Sequence, residues 1–153
     1  MIRQIDNKIK DISERIYLIF QASYKVEAKL LNATDFPPLK RTVNEFIMCD
    51  NVFFAYYLAE HIAGVIELDN NHNISTHIQS LVVDPRHFRK GVGRKLVSFV
   101  LDHYKSHIFT VETGLKNQPA INLYKGFGFK EIKQWDTDHG VRKIRFERIL
   151  DNN

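Results

Sequence analysis

The sequence has few of the features that anchor a protein covalently or in a membrane. Cys49 is the one cysteine, which excludes an intramolecular disulfide and agrees with a reducing, cytoplasmic location. No apolar run reaches the ~18 residues that a membrane-spanning helix needs, and the first residues lack the apolar stretch of a signal peptide. Internal repeats, low-complexity tracts and linkers are also absent. We therefore expect a single domain over residues 1–153 and no membrane partner.

The residues that are present suit a globular core. The chain has 153 residues, of which 44% are hydrophobic, and its eleven Phe and six Tyr supply large apolar groups. A domain of this length buries roughly 68–70% of the surface that its unfolded chain exposes. This composition excludes a disordered, collagen-like or coiled-coil protein.

Hydrophobic periodicity predicts a mixture of strands and helices. Strands are expected at 2–5, 52–58, 62–68, 74–83, 108–113, 129–135 and 141–149, and helices at 7–31 (one or two), 40–48, 91–104 and 117–125. Phe36–Leu39 is expected to be extended, because proline restricts itself and the residue before it. The order βααβββαβαββ predicts an α+β fold with one mixed sheet of about six or seven strands and helices on both faces. The unit from 76 to 113 should be a right-handed parallel crossover.

The excess positive charge lies in one short window. The whole chain carries a net charge of +4, and residues 84–95 account for all of it, because the other cations and anions balance. The cations of the window are Arg86, Arg89, Lys90, Arg94 and Lys95, and its one anion is Asp84. A duplex-binding domain more often spreads its cations over a face or along a helix. The compact cluster favours a small, multiply charged ligand, with a solvated basic loop as the alternative.

The same window contains a glycine loop between a strand and a helix. The strand ends at Val83, and a helix begins near Gly91. The first N–H groups of a helix have no internal partner and carry the positive end of its dipole. Gly91 and Gly93 have no β-carbon, so an anion can approach the backbone closely. The loop therefore predicts a pyrophosphate-binding site.

Two other phosphate-binding loops do not fit. The Walker A pattern is absent. A dinucleotide fingerprint requires Gly or Ala where this chain has Leu96, and it places its first glycine directly after the strand, whereas Gly91 lies eight residues beyond Val83.

Two segments, which together cover roughly residues 76–131, resemble the GNAT superfamily of N-acetyltransferases. The first is the family's acetyl-CoA-binding loop, Gln/Arg-x-x-Gly-x-Gly/Ala. Gly91 and Gly93 match it, whereas Phe88 stands where the family usually has Gln or Arg. The second is Asn-x-x-Ala-x-x-Leu-Tyr followed by Gly-Phe, which residues 117–129 match. The resemblance implies a GNAT-like fold with acetyl-CoA as co-substrate and a primary amine as acceptor.

The resemblance also implies roles for individual residues. The expected acetyl-CoA-binding residues are Leu81, Val82, Val83, Phe88, Arg89, Lys90, Gly91, Val92, Gly93, Arg94, Asn117 and Tyr124. Backbone N–H groups from Arg89 to Arg94 would bind the pyrophosphate, and those around Leu81–Val83 would hold the pantetheine arm and orient the acetyl carbonyl. Asn117 is a predicted N-cap that may also bond the arm.

The implied reaction is attack of an amine on a thioester, so the enzyme must move protons. Tyr124 stands where family members place the tyrosine that protonates the departing thiolate; a phenol with a pKa of ~10 is protonated at neutral pH and can donate. Candidate bases lie on the preceding strands. His77 could relay a proton, since the unperturbed pKa of histidine is ~6.5, Gln79 cannot titrate, and Glu112 on the next strand is a second candidate. Each candidate may instead be paired with neighbours and have no catalytic role.

Other polar and aromatic residues are expected to have lesser roles. His103 and His107 lie four apart at a helix end, but no carboxylate or cysteine stands beside them, so no metal site is expected. Four further residues may line the amine pocket or may only pack: Tyr24, Phe36, Trp135 and His139.

Three classes of function remain open at this point. The first is an acetyl-CoA-dependent N-acetyltransferase, as a monomer or a homodimer, that acts through a ternary complex. Its acceptor may be a small amine, an antibiotic, a protein N-terminus or lysine, or aminoacyl-tRNA, and the balanced charge outside the loop counts against tRNA. The second is a non-catalytic sensor that binds acyl-CoA. The third is a nucleic-acid-binding domain that uses the basic patch at 86–95.

Overall fold

A computed structural model describes residues 1–70, 72 and 74–150. Its strands are β1 (Ile2–Ile5), β2 (Val52–Leu58), β3 (His61–Asp69), β4 (Ser75–Val83), β5 (Ile108–Gly114), β6 (Lys130–Asp136) and β7 (Arg142–Ile149). Its α-helices are α1 (Lys10–Leu31), α2 (Val43–Met48), α3 (Val92–His103) and α4 (Gln118–Gly126), and short 3₁₀ helices cover Pro37–Lys40 and Pro85–His87. The predicted α+β fold and its element order are confirmed. The polar segment 69–73 separates the strands predicted at 62–68 and 74–83, and two of its residues, 71 and 73, lie outside the described residues.

The strands form one mixed sheet in the order β1-β2-β3-β4-β5-β7-β6. All neighbouring strands pair antiparallel except β4 and β5, which pair parallel on either side of the α3 crossover. The predicted parallel unit is therefore confirmed.

Helices cover both faces of the sheet, as predicted. On one face α1 and α2 bury Ile16, Phe20 and Phe46 against β2 and β3. On the other face α3 and α4 bury Leu96 and Tyr124 against the middle of the sheet. The sheet thus separates two hydrophobic layers.

The local caps explain where helices begin and end. Thr42 and Glu45 form a capping box at the start of α2. Asn117 caps α4, because its side chain accepts a hydrogen bond from the Ala120 N–H. Asn32 ends α1 in the left-handed region, with φ 52°. The predicted N-cap role of Asn117 is thereby confirmed.

The expectation that Phe36–Leu39 is extended is wrong. Phe36 is extended, but Pro37–Lys40 forms a 3₁₀ turn, closed by a hydrogen bond of 3.1 Å from the Leu39 N–H to the Phe36 carbonyl. The fixed φ of proline, near −65°, suits the 3₁₀ conformation as well as the extended one. The two prolines therefore stiffen this segment without straightening it.

None of the helices in the described part of the chain is both long and apolar enough to cross a membrane.

Candidate active site

The central feature of the sheet is a gap between its two parallel strands. β4 and β5 are paired only from Ser75 opposite Ile108 to Ile78 opposite Val111. Beyond this point β4 continues to Val83 and pairs only with β3. The divergence opens a cleft of about 520 Å³ that is lined by both strands, by α1 and by α4. A substrate can therefore reach backbone groups in the middle of the sheet.

At the end of β4 two amides are not used in pairing with β3. The Asp84 N–H donates to the Ala63 carbonyl on β3 at 2.8 Å. Because successive N–H groups of a strand point to opposite edges, those of Leu81 and Val83 point away from β3, towards the gap, and that of Val82 points towards β3. Of the three predicted positions, Leu81 lines the cleft itself.

Residues 88–94, here called the glycine loop, follow the second 3₁₀ turn and include the first three residues of α3. Arg89 and Gly91 lie in the left-handed region, with φ 61° and 78°, a conformation that favours glycine. The Phe88 N–H donates to the Pro85 carbonyl at 3.3 Å. Among the described residues, the backbone amides from Arg89 to Arg94 have no acceptor. The loop therefore presents a run of unpaired N–H donors at the start of a helix, as its sequence predicts.

Glycine at position 93 has a different explanation from glycine at position 91. A β-carbon at 93 would lie 3.7 Å from a Leu81 methyl and 3.8 Å from side-chain atoms of Leu123 and Val83, which are ordinary contacts. Neither packing nor φ requires glycine at this position. Because Gly93 has no side chain, a ligand can approach its backbone atoms closely.

The cations around the glycine loop are not equivalent. Arg86 is paired with Asp84, with Nη2 2.7 Å from Oδ2, and this pairing lowers the pKa of the carboxyl. Arg89, Lys90 and Arg94 are exposed and form no ion pair among the described residues. The positive charge available to a ligand therefore comes from the loop itself and from the first turn of α3.

Tyr124 of α4 lines the cleft, although its side chain is 3% exposed. Burial raises the pKa of its phenol, and the negative charge of Glu27 adds to the effect. Tyr124 is therefore protonated throughout the physiological range, as a proton donor must be.

Asn117 joins α4 to α1. Its Oδ1 caps α4, and its Nδ2 donates to Oε1 of Glu27 at 2.5 Å. The oxygen and the nitrogen of this amide thus each form a hydrogen bond, and the second N–H of Nδ2 has no acceptor among the described residues. Burial raises the pKa of Glu27. Sequence reasoning missed Glu27, although it falls at helical spacing from Tyr24 and Leu31, where a charged residue interrupts an apolar stripe.

The two candidate bases are near enough for the charge of Glu112 to act on His77, but they differ in their place relative to the cleft. Glu112 lines the cleft, and its Oε2 lies 2.6 Å from Nη1 of Arg145. His77 lies outside the cleft lining, with Nδ1 2.7 Å from Oγ1 of Thr110. Burial lowers the pKa of His77. Only one of the candidates therefore shares the cleft with Tyr124.

Three of the four predicted pocket residues line the cleft. Tyr24, Phe36 and His139, here called the aromatic wall, have ring centroids 5.9 Å apart in each adjacent pair. The fourth, Trp135, lies on β6 outside the lining, where Lys133 Nζ is 5.1 Å from its ring centroid.

A buried ion pair supports this wall, and sequence reasoning did not find it. Arg41 lines the cleft and donates to both carboxylate oxygens of Glu67, at 2.7 and 2.9 Å. Glu67 is fully buried, and Asn51 also donates to it at 2.9 Å. These donors lower the pKa of Glu67 despite its burial. An acidic residue within the apolar run of β3 was the available signal.

One cluster outside the cleft has metal-binding residue types. Single ligand atoms of His61, Asp84 and His87 lie within 4.8 Å of one another. The guanidinium of Arg86 already donates to Asp84 and lies 3.0 Å from Nε2 of His61. Arg86 therefore supplies the positive charge of this cluster.

Comparisons with known sequences identify relatives of the chain. The profile of the acetyltransferase (GNAT) family matches residues 14–129. UPF0157 protein YqkA of Bacillus subtilis is 32% identical over 142 residues, which are 92% of this chain and 41% of that protein. N-alpha-acetyltransferase RimI of Mycobacterium tuberculosis is 27% identical over 70 residues, 46% of this chain and 44% of that protein. The matched segments cover less than half of the length of each of these curated relatives.

Solved structures share the fold over nearly the whole chain. The ribosomal-protein-S18-alanine N-acetyltransferase of Escherichia coli matches with a TM-score of 0.76 at 19% identity, covering 100% of this chain and 97% of that one. The smu.2055 protein of Streptococcus mutans matches with a TM-score of 0.78 at 17% identity, and the match covers 99% of each chain. The yncA protein of Salmonella typhimurium, solved with its cofactor acetyl-CoA, matches with a TM-score of 0.75 at 18% identity, and the match covers 100% of this chain and 95% of that one.

Proposed function

The chain belongs to the acetyltransferase (GNAT) family, and from this premise we propose that it is an acetyl-CoA-dependent N-acetyltransferase that acetylates a primary amine by direct attack in a ternary complex. One observation carries the proposal: the unpaired amides of the glycine loop lie beside a gap in the sheet whose edge carries two further free amides.

The glycine loop is suited to bind the pyrophosphate of acetyl-CoA. Amides from Arg89 to Arg94 would donate to its oxygens, with the exposed loop cations around them. The bare backbone at Gly93 allows close approach, and Phe88 would contact the ligand through its exposed ring rather than through a polar group. The donors that matter are thus main-chain groups, which explains why the departure from the family pattern at Phe88 can be tolerated.

The amides of Leu81 and Val83 would hold the pantetheine arm and orient the acetyl carbonyl. Fixed donors of this kind stabilise negative charge that develops on a carbonyl oxygen. Val82, whose amide points towards β3, would act only by packing. The free N–H of Asn117 can reach the same arm.

The acetyl thioester supplies the carbonyl carbon that the amine attacks. Tyr124 would donate its phenolic proton to the sulfur as the carbon–sulfur bond breaks, and the amine would lose its extra proton to a base. Burial raises the pKa of Tyr124, so the phenol is protonated before the reaction and would donate a hydrogen bond to the sulfur as negative charge develops there.

For the base we favour Glu112 over His77. Glu112 lines the same cleft as Tyr124, whereas His77 bonds Thr110 outside it. Arg145, whose Nη1 lies 2.6 Å from Oε2 of Glu112, would hold the carboxylate in place. The proton of the amine would reach this carboxylate through water. Glu112→Gln should therefore lower kcat, while His77→Ala should leave it nearly unchanged.

The proposed acceptor is a primary amine, and several classes of amine are candidates. Two relatives are named for acetylation of protein α-amines, which supports including a peptide with a free N-terminal alanine among the candidates. Small amines, antibiotics and protein lysines are the others. The cytoplasmic location, the single domain over 1–153 and a monomeric or homodimeric state stay predictions.

The proposal is tested in two steps. Acetyl-CoA is first titrated into the protein in a calorimeter, and a panel of amines is then screened for acetylated product by mass spectrometry. Binding followed by transfer is the expected result. Binding without transfer to any amine would favour the acyl-CoA sensor. Displacement of nucleic acid by coenzyme A, without transfer and only at low salt, would favour the nucleic-acid-binding domain.

A further inference from the structure

Of the described residues, three carboxylates line the cleft. Glu112 is paired with Arg145 at 2.6 Å. Glu45 accepts hydrogen bonds from the backbone N–H and the hydroxyl of Thr42, at 3.2 and 3.1 Å, in the capping box of α2. Glu27 is the third, and its one hydrogen-bond donor among the described residues is the amide of Asn117.

The surroundings of Glu27 leave its charge unbalanced. Its Oε1 accepts one bond from the neutral amide of Asn117, and within residues 1–70, 72 and 74–150 it forms no salt bridge. The titratable groups that face it are Tyr24 on its own helix, Tyr124 on α4 and Lys143 on β7. Burial raises the pKa of Glu27 more than the charge of Lys143 lowers it. A half-buried anion without a direct counter-ion thus faces the cleft.

Glu27 also lies where the acceptor must arrive. Tyr24 of the aromatic wall stands one turn before it on α1, and Tyr124 feels its charge from α4. The carboxylate therefore shares the cleft with Tyr24 of the wall and with the proposed proton donor. Burying an anion at this point costs free energy unless a cation pairs with it.

We propose that Glu27 binds the protonated amino group of the acceptor and that Asn117 holds the carboxylate in position, an inference that rests on the proposed function. An aliphatic primary amine with a pKa near ~10.4 arrives as an ammonium ion at neutral pH. Glu27 then selects cationic acceptors over neutral molecules of the same shape. Asn117 is a positioning residue, because it acts through Glu27.

The experiment compares Glu27→Gln with wild-type enzyme, using the amine of the panel with the highest kcat/KM and the same molecule with hydroxyl in place of its amino group. We expect Glu27→Gln to raise KM for the amine ~10- to 100-fold, the effect of one charge-assisted hydrogen bond. The inhibition constant of the hydroxyl analogue and the Kd of acetyl-CoA should not change. Glu14→Gln, on the exposed side of the same helix, is the matched control and should behave as wild type.

Asn117→Ser provides a second variant. Serine can cap α4 but cannot reach Glu27, so KM for the amine should rise by less than in Glu27→Gln. Its Kd for acetyl-CoA is measured as well, because Asn117 may also contact the pantetheine arm.

The outcomes separate this inference from the proposed function. If wild type acetylates the amine and Glu27→Gln leaves KM unchanged, or weakens the hydroxyl analogue equally, the inference alone is overturned. If wild type does not bind acetyl-CoA, or binds it and acetylates no amine, the proposed function falls and the inference falls with it.

Discussion

The two proposed binding regions, the glycine loop on one side and the aromatic wall of the cleft on the other, are built in different ways. The glycine loop is one contiguous segment, and its binding groups are backbone amides that have no acceptor among the described residues. The aromatic wall brings together side chains from α1, from the turn after it and from the β6–β7 hairpin. The first side depends on local chain geometry, and the second depends on the tertiary packing of distant segments.

This difference suits two kinds of ligand. Backbone donors beside glycines suit a charged group, such as the proposed pyrophosphate, that stays the same whichever acceptor is used. Side chains on a helix and a hairpin can change without disturbing the sheet, so they can suit different acceptors. The comparison therefore predicts that variants of one side leave binding on the other side intact.

The largest expected effect is the one on kcat at Tyr124. Tyr124→Phe removes the proposed proton donor and keeps the buried ring, so kcat should fall by ~10²–10⁴, while the Kd of acetyl-CoA and KM for the amine stay near wild type. Steady-state kinetics and calorimetry measure these quantities. Tyr104→Phe, on a half-buried ring outside the cleft, is the control. A kcat within twofold of wild type would exclude Tyr124 as the donor.

The next effect is on the stability of the wall. Arg41→Ala leaves the buried Glu67 carboxylate without its bidentate partner, so the free energy of unfolding should drop by ~3–5 kcal/mol. Chemical denaturation measures it, and adding Glu67→Gln should recover part of the loss. Arg15→Ala, which breaks an exposed pair with Asp11, should cost less than ~1 kcal/mol. Equal losses in Arg41→Ala and Arg15→Ala would show that the buried pair does not support the wall.

A smaller change tests the other side. Gly93→Ala adds a methyl group that meets only ordinary contacts, so the protein should be as stable as wild type or slightly more stable. If a ligand approaches this backbone, its affinity should fall ~10-fold or more, as expected for overpacking by ~1–3 kcal/mol. Gly126→Ala, with open space around its position, should leave acetyl-CoA affinity unchanged. Unchanged affinity in Gly93→Ala would separate the loop from the ligand.

The smallest effect concerns a residue on neither side. Burial lowers the pKa of His77 in the folded protein, so the neutral form is favoured there. Its contribution to stability is present above the unfolded pKa of ~6.5 and is lost as pH falls below it through the folded pKa. Relative to His77→Asn, wild type should therefore lose stability on acidification below about pH 6.5. Parallel stability curves for the two proteins would contradict the assigned shift.

The sequence could predict the glycine loop because every group of that site lies within a few residues. Gly91, the cations and the preceding strand are all visible as a local pattern. The α+β order followed similarly from hydrophobic periodicity. The Pro37–Lys40 turn was mispredicted because the φ of proline suits both conformations.

The wall could be predicted only in part. Tyr24, Phe36 and His139 were plausible pocket residues, but nothing local showed that Trp135 lies outside or that Arg41 reaches Glu67. These contacts depend on how α1 and the hairpin pack against the sheet. A charge inside an apolar stripe, as at Glu27 and Glu67, was the one signal of such a contact.

The glycine loop itself is tested most directly by following its backbone amides in ¹⁵N–¹H correlation spectra while acetyl-CoA is added. We predict that the amide signals of residues 89–94, including those of Gly91 and Gly93, shift most, together with those of Leu81 and Val83. If saturating acetyl-CoA leaves these signals in place, or moves only signals elsewhere in the chain, the glycine loop is not the binding site and the enzymatic account is contradicted.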